Sequence, residues 1–214
     1  MPGSRQFLLF LLLAGLFPSA HAWTGISASL GEYDSEWRID NEIRPVTLTH
    51  YGLSVEDRTA VGLRMGLSIG EFGLRIKNPS DTLSQDYAGE FLGLRLRWPR
   101  RLNRQVSLHG RFVYDWHSGR LDGDISDSEV NWSSTRLRLG LQLRMGLLGL
   151  RPFVEWQRLD GDVELDGTRR LFDEQERYSS GLVLDLEVEP SAYVRLTWTQ
   201  QGQQGLLLSF VRNY

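Results

Sequence analysis

The 214-residue sequence contains no cysteine and a single lysine, Lys77, among its 24 basic residues. Without cysteine the chain forms no disulfide, binds no metal through thiolate and has no cysteine nucleophile. It also lacks the cysteine that would carry a lipoprotein anchor. The net charge of −3 argues against a generally basic nucleic-acid-binding protein, so no nucleic-acid partner is expected.

Long hydrophobic runs are also absent, apart from one near the N-terminus. Residues 7–17 are almost all apolar, Arg5 precedes them, and Ala20-His21-Ala22 follows as a small-residue cleavage site. These features predict a secretory signal peptide over residues 1–22. An N-terminal anchor helix is the alternative, but the run is short for a membrane span. The mature chain, residues 23–214, is expected to leave the cytoplasm as one domain.

The mature chain alternates apolar and polar residues with a period of two, which is typical of β-strands. In the clearest run, five residues separated by two positions are apolar: Leu137, Leu139, Leu141, Leu143 and Met145. The residues between them are polar or glycine, so a strand would have one apolar and one polar face. No convincing amphipathic helix is found, and the expected fold class is all-β.

The alternation predicts ten strands, with eight as a fallback: residues 25–33, 46–55, 60–77, 87–98, 104–117, 132–145, 150–159, 177–188, 192–200 and 205–214. In the third strand the apolar set changes from odd to even positions near Gly70, which predicts a β-bulge there. The phase of the second strand is ambiguous between Val46/Leu48 and Tyr51/Leu53. Short connections alternate with longer ones, notably 34–45, 78–86, 118–131 and 160–176. This spacing favours an up-and-down antiparallel meander.

The last strand carries apolar and aromatic residues at alternate positions and ends on an aromatic residue: Leu206, Leu208, Phe210 and Tyr214. With the signal peptide and the strand pattern, it resembles Gram-negative outer-membrane β-barrel proteins, here of a small porin-like type. Arg212 departs from the apolar alternation. The resemblance implies a closed transmembrane barrel in the cell outer membrane, in contact with lipid and lipopolysaccharide. It also implies that the barrel assembly machinery reads the last strand.

Aromatic residues lie near both ends of the predicted strands, as expected for side chains at the two membrane interfaces. They are Trp98, Trp116, Trp132, Trp156, Tyr178 and Tyr214. A soluble lipocalin-like barrel with an apolar interior and a polar exterior remains the alternative, because periodicity alone does not distinguish the two.

If the apolar face meets lipid, the barrel interior receives an arginine-rich polar face. The expected interior residues are Arg64, Arg75, Lys77, Arg95, Arg97, Arg111, Arg136, Arg138, Arg144, Arg151 and Arg195, with the acids Asp115, Glu155, Asp185 and Glu187. One interpretation is a set of internal salt bridges that fills a narrow barrel. The other is a narrow pore with a positive constriction that favours anions.

Catalysis is a further hypothesis. Asp115 and His117 are expected on one face at the outer rim, which resembles the Asp-x-His dyad of omptin proteases, with Asp122/Asp124 as the facing pair. Ser107 and His109 resemble the pair of lipid A deacylases in reversed order. The acidic outer loops could bind divalent cations, but no EF-hand spacing is present. No metal site and no cofactor are therefore expected.

Overall fold

The computed structural model describes residues 25–77, 84–121, 128–165 and 168–214, so the predicted signal peptide and residues 78–83 and 122–127 lie outside the described residues. Within these ranges the fold consists of eleven antiparallel strands. They are β1 (Gly25–Ile39), β2 (Glu42–Arg58), β3 (Arg64–Lys77), β4 (Ser84–Arg101), β5 (Val106–Leu121), β6 (Glu129–Met145), β7 (Leu148–Leu165), β8 (Thr168–Glu174), β9 (Tyr178–Glu189), β10 (Ala192–Gln200) and β11 (Gln204–Asn213).

Ten of these strands form a closed barrel, which confirms the predicted architecture. Each of β1 to β6 pairs with the next, β7 pairs with β9, β9 with β10, β10 with β11, and β11 with β1. Following the paired residues once around the ring from Pro99 on β4 returns to Tyr87 on the same strand. With the usual strand spacings, this offset gives a strand tilt of about 40°.

The eleventh strand, β8, changes the barrel at one end. It pairs with β7 between Asp160 and Leu165 and with β1 between Trp37 and Ile39. Strands β9, β10 and β11 do not reach this level. The barrel therefore has ten strands at the end that holds Gly25 and Asn213, called the terminal end, and eight strands, β1 to β8, at the other, called the distal end.

The wall of the barrel reverses its polarity between the two ends. On β2, Tyr51, Leu53 and Val55 are exposed on the outer face near the terminal end, whereas Val46 and Leu48 are buried on the inner face near the distal end. Since even-numbered residues of β2 point inward along the whole strand, the ambiguous phase has a simple origin. The strand keeps its register, and the apolar residues move from the outer face to the inner face.

The same reversal corrects the predicted bulge at Gly70. Pairing of β3 with β2 and with β4 runs without a register shift from Arg64 to its distal end. The apolar set switches because Met65 and Ile69 are on the outer face, while Phe72, Leu74 and Ile76 are in the distal interior. Arg75 and Lys77, which were expected inside, accordingly lie on the outer face, where Arg75 pairs with Asp86.

Two predicted loops are also largely strand. The segment 34–45 continues β1 and β2 up to a tight turn at Asp40-Asn41, where both residues have positive φ angles (48° and 70°). This conformation suits a two-residue hairpin turn. The segment 160–176 contains the end of β7 and all of β8. Both were mistaken for loops because their outer faces are charged.

An apolar core fills the eight-stranded distal end. Its buried residues come from β1, β2, β3, β4, β6, β7 and β8: Trp37, Ile39, Val46, Leu48, Phe72, Leu74, Ile76, Tyr87, Val130, Trp132, Leu159, Val163 and Phe172. Leu121 of β5 packs against them. The distal end is therefore a packed hydrophobic core and contains no channel among the described residues.

Candidate functional site

The interior of the ten-stranded section is polar and rich in arginine. Eight arginines face it: Arg64, Arg95, Arg97, Arg111, Arg136, Arg138, Arg151 and Arg195. Four carboxylates, Glu56, Asp115, Glu155 and Asp185, face them. Eight positive and four negative charges leave an excess of four positive charges. Sequence reasoning missed Glu56, although its alternation with the outward Leu53 and Val55 places it inside.

Two ion pairs lie in the middle of the barrel. Arg136 of β6 donates to Asp115 of β5, and Arg138 of β6 donates to Glu155 of β7 at 2.7 Å. Both carboxylates are buried. The guanidinium of Arg138 also lies over the Phe153 ring, 3.7 Å from its centroid. These pairs join neighbouring strands along the wall, so they satisfy buried charges without spanning the interior.

A second group of charges lies nearer the terminal end. Asp185 accepts hydrogen bonds from both Arg151 (3.0 Å) and Arg195 (2.6 Å). Arg97 pairs with Glu56 at 3.1 Å. Arg111 has no carboxylate within ion-pair distance among the described residues, and its Nε has no hydrogen-bond partner. Carboxylates therefore neutralise only part of this group.

Arg144 and Glu187 form an ion pair at the rim of the terminal end. The arginine side chain is mostly exposed there, so this pair lies at the edge of the interior rather than within it. The two residues cancel each other's charge and do not alter the excess of positive charge deeper in the barrel.

A cavity of about 80 Å³ runs beside β1 and β11 through this section. It reaches Gly25 and Asn213 at the terminal end and stops below Leu48 and Leu159 of the distal core. A volume of this size holds about five water molecules. A smaller void of about 20 Å³ is lined by His109 and by five arginines: Arg97, Arg111, Arg138, Arg151 and Arg195.

A layer of rings separates the arginine-rich interior from the distal core. Six rings are in contact across the barrel in the order Phe172, Trp37, Trp132, His117, Phe91, His50, with neighbouring centroids 4.0–5.6 Å apart. Phe72 packs edge-on against both Trp132 and His117. Such ring contacts stabilise beyond their buried area. The layer closes the barrel interior on its distal side.

The candidate catalytic pair is within this closed region. Asp115 and His117 are both buried. They lie on the terminal-end side of the distal core, and not at the outer rim where they were expected. The error arises because β5 continues beyond His117 to Leu121. Asp115 is bound by Arg136, and His117 is stacked on Trp132, so a macromolecular substrate has no access to either. The proposed facing pair, Asp122/Asp124, lies outside the described residues.

The other histidine of the catalytic hypothesis, His109, faces the terminal-end interior beside Arg97 and Arg151. Ser107 lies on the same face of β5, two residues closer to the terminal end. No hydrogen bond joins Ser107 to His109 in the described structure, and the Nδ1 of His109 has no partner. A nucleophilic pair requires that hydrogen bond and an orienting carboxylate, so the arrangement does not support hydrolysis.

Most of the expected interfacial aromatic residues lie on the outer face of the ten-stranded section. Trp98, Tyr178 and Tyr214 are exposed there, and Trp116 and Trp156 are partly exposed on the same face. Trp132 is the exception: it is buried in the ring layer, because β6 has already entered the distal end at this residue. Trp198, on β10, is an exposed outward residue that the sequence reasoning did not include.

Glu174, at the end of β8, is a buried carboxyl group that the sequence did not single out. It is 3% exposed, accepts a 3.4 Å hydrogen bond from Ser35, and has one carboxylate oxygen with no partner. Burial raises the pKa of Glu174 to about 7. This carboxyl group is therefore largely protonated below neutral pH.

Metal binding has no structural support among the described residues, where no group of three or more histidine or acidic side chains is suitably arranged. In the same ranges, no helix is long and apolar enough to cross a membrane.

Comparison with solved structures identifies the fold. The β domain of the Bordetella autotransporter BrkA is similar over 90% of this chain and 100% of its own, with a TM-score of 0.56 and 11% identity. The translocator domain of the autotransporter NalP from Neisseria meningitidis (TM-score 0.49, 11% identity, 98% and 94% coverage) is a further match. So is the outer membrane protease OmpT from Escherichia coli (0.44, 10%, 90% and 93%).

At these identities the likeness establishes the fold alone. The chain has the closed antiparallel fold of outer-membrane β-barrels. No protein-family model and no curated protein sequence matches the chain.

Proposed function

We propose that the protein is an integral outer-membrane β-barrel of structural type, held closed by its own side chains. The observation that carries the proposal is the location of the exposed apolar residues. On the ten-stranded section they form a continuous outer belt that includes Leu30, Leu53, Ile69, Leu139 and Leu208. Around the distal end the outer face is mostly charged. A closed barrel with such a belt satisfies its backbone hydrogen bonds within a bilayer.

The proposed orientation follows from the same belt. The terminal end faces the periplasm, and the distal end projects from the outer surface among the lipopolysaccharide head groups. Leu206, Leu208 and Phe210 lie on the outer face of β11, and Tyr214, directly after β11, is also exposed; this is the arrangement that the assembly machinery would read. Cleavage of a signal peptide near Ala22 belongs to this proposal, and the N-terminus of the mature protein tests it.

Closure by the ring layer and the distal core argues against a permanently open pore. Lipid bilayer recordings should show no conductance in the parent protein beyond the leak of the bilayer. If the core can open, the excess of positive charge inside favours anions. Reversal potentials in a salt gradient would then show anion selectivity, and cation selectivity would contradict the assignment of the arginine-rich interior.

The soluble lipocalin-like alternative requires an apolar interior along the ligand cavity. The charged interior of the ten-stranded section and its apolar exterior argue against it. The deciding experiment is gel mobility of the mature protein refolded in detergent, with and without boiling. A heat-dependent shift supports the membrane barrel. A protein that stays soluble without detergent and shows no shift would contradict it.

A further inference from the structure

We infer that the terminal-end interior binds a small tetrahedral oxyanion, such as phosphate, through a group of guanidiniums centred on Arg111. The geometry of the interior carries this inference, and only the assignment of the terminal end to the periplasm rests on the proposed function. The site is open at the terminal end alone, because the ring layer closes the interior on its distal side.

The first support is an imbalance of charge. Five arginines line one void, and three carboxylates, Glu56, Glu155 and Asp185, neutralise part of their charge: Arg97, Arg111, Arg138, Arg151 and Arg195. Asp185 is shared between two arginines, and Arg111 has no carboxylate partner among the described residues. Positive charges withdrawn from water need either pairing or hydration. An anion among these guanidiniums would supply the missing partner.

The second support is the match of chemistry and space. Guanidiniums present pairs of N–H donors that fit the oxygens of phosphate or sulfate better than they fit a monatomic ion. Arg97, Arg111 and Arg195 line the larger cavity of about 80 Å³ as well as the smaller void. A volume that holds about five water molecules accommodates a tetrahedral oxyanion. Hydrogen bonds to a charged group are stronger than those to water.

The third support is an entrance. The larger cavity reaches Gly25 and Asn213, the first paired residues of β1 and β11 at the terminal end. At that end, the last residues of β4 and the turn after it carry exposed arginines: Arg100, Arg101 and Arg104. Basic side chains near an opening raise the local concentration of anions and their rate of entry. The site is thus open to small solutes from one side only.

Isothermal titration calorimetry on the mature protein refolded in an uncharged detergent tests the inference. Sodium phosphate is titrated at neutral pH, with ionic strength held constant by sodium chloride. The parent protein should bind phosphate at a single saturable site. Arg111→Gln should weaken binding at least about tenfold, the loss expected for a charge-assisted pair of hydrogen bonds. Arg120→Gln is the matched control, since Arg120 is on the same strand but exposed on the outer face.

A second variant moves affinity in the opposite direction. Glu56→Gln removes the carboxylate that competes for Arg97, so phosphate should bind several-fold more tightly. A variant that merely loosened the fold would not bind more tightly. No saturable phosphate binding in the parent, equal affinities for Arg111→Gln and Arg120→Gln, or weaker binding in Glu56→Gln would each overturn the inference.

Two sources could supply such an anion: free phosphate and the head group of an anionic phospholipid. Titration with glycerol phosphate distinguishes them. Binding at least tenfold tighter than that of inorganic phosphate would identify a lipid head group, and equal or weaker binding would identify the free ion. If the refolded protein shows the heat-dependent shift but binds neither compound, the anion site fails while the membrane barrel stands.

Discussion

The rings of His117 and Trp132 lie flat against each other, with centroids 4.2 Å apart and planes within 6° of parallel. His117 belongs to the polar interior of the barrel and Trp132 to its distal core. Their contact marks the level at which the interior changes from charged to apolar. On the side of the terminal end, arginines bind carboxylates. On the side of the distal end, the interior is packed with hydrophobic side chains.

Removal of a ring from this layer should open the barrel. Trp37 is 1% exposed, and it contacts both Trp132 and Phe172. Trp37→Ala should lower the free energy of unfolding by about 3–5 kcal/mol, as for other buried tryptophans. Single-channel conductance should appear where the parent shows none. Trp198→Ala, an exposed residue of the outer belt, is the control and should stay closed. If the Trp37→Ala variant shows no conductance, the rest of the distal core is enough to close the barrel and the prediction is contradicted.

The buried ion pair of Asp115 and Arg136 should matter far more than an exposed one. Asp115→Asn leaves Arg136 charged and unpaired in the interior, and breaking a buried pair costs about 3–5 kcal/mol. Asp160→Asn breaks the exposed pair with Arg158 and should leave stability unchanged within error. Urea unfolding in detergent, followed by tryptophan fluorescence, measures both. Similar losses in the two variants would contradict the burial argument.

Two glycines of the barrel wall should respond oppositely to alanine. A Cβ at Gly93 would overlap the Asp115 carboxylate and the Ser68 hydroxyl, whereas one at Gly73 meets nothing within 4 Å. Gly93→Ala should therefore cost about 1–3 kcal/mol through overpacking. Gly73→Ala should be neutral or slightly stabilising, because alanine loses less backbone freedom on folding. The fraction that refolds to the heat-modifiable form compares the two.

Glu174 should make the stability of the barrel depend on pH. Its pKa is raised to about 7 in the folded protein from an ordinary value of 4.5, so the folded state favours the protonated form. Stability from this group is complete below about pH 4.5 and is lost as pH rises to about 7, a total of about 3 kcal/mol. The difference in urea-unfolding free energy between the parent and a variant that lacks this carboxylate, taken from pH 4 to 8, measures it.

Glu174→Gln is the matched variant for this pH dependence. It keeps a neutral side chain at every pH, so its stability relative to that of the parent should rise by about 3 kcal/mol between pH 4.5 and 7. Glu36→Gln, on the exposed face of β1, is the control, and its difference from the parent should not change with pH. If the Glu174→Gln variant shows the same pH profile as the parent, the buried carboxyl group is not its cause.

The ten-stranded section could be predicted from the sequence because lipid imposes a simple alternation on its strands. Leu137, Leu139 and Leu141 face outward at every second position, so Arg136 and Arg138 must face inward. The distal end obeys the opposite rule. Trp37 and Ile39 are inside, and their neighbours Glu36 and Arg38 are outside. A search that assumes apolar residues on the outer face throughout predicts strands in the ten-stranded section but loops in the distal end.

The details of the interior were harder to predict than its composition. Asp185 binds two arginines at once, whereas Arg111 has no carboxylate partner among the described residues. These partnerships depend on strand tilt and on the reach of each side chain. Alternation gives the face of a residue but not its height in a tilted barrel. For this reason Trp132 was assigned to a membrane interface, although its strand had already passed into the distal core.

The strand β8 also bears on the order in which the barrel assembles. All eight strands of the distal ring lie within residues 25–174, so this ring closes on itself without any part of β9, β10 or β11. The part of β1 nearer the terminal end, residues 25–34, keeps an unpaired edge until β11 pairs with it. Contacts between residues closer in sequence form faster. We expect folding to begin at the distal end, which is exposed to water, and to finish when the first strand pairs with the last.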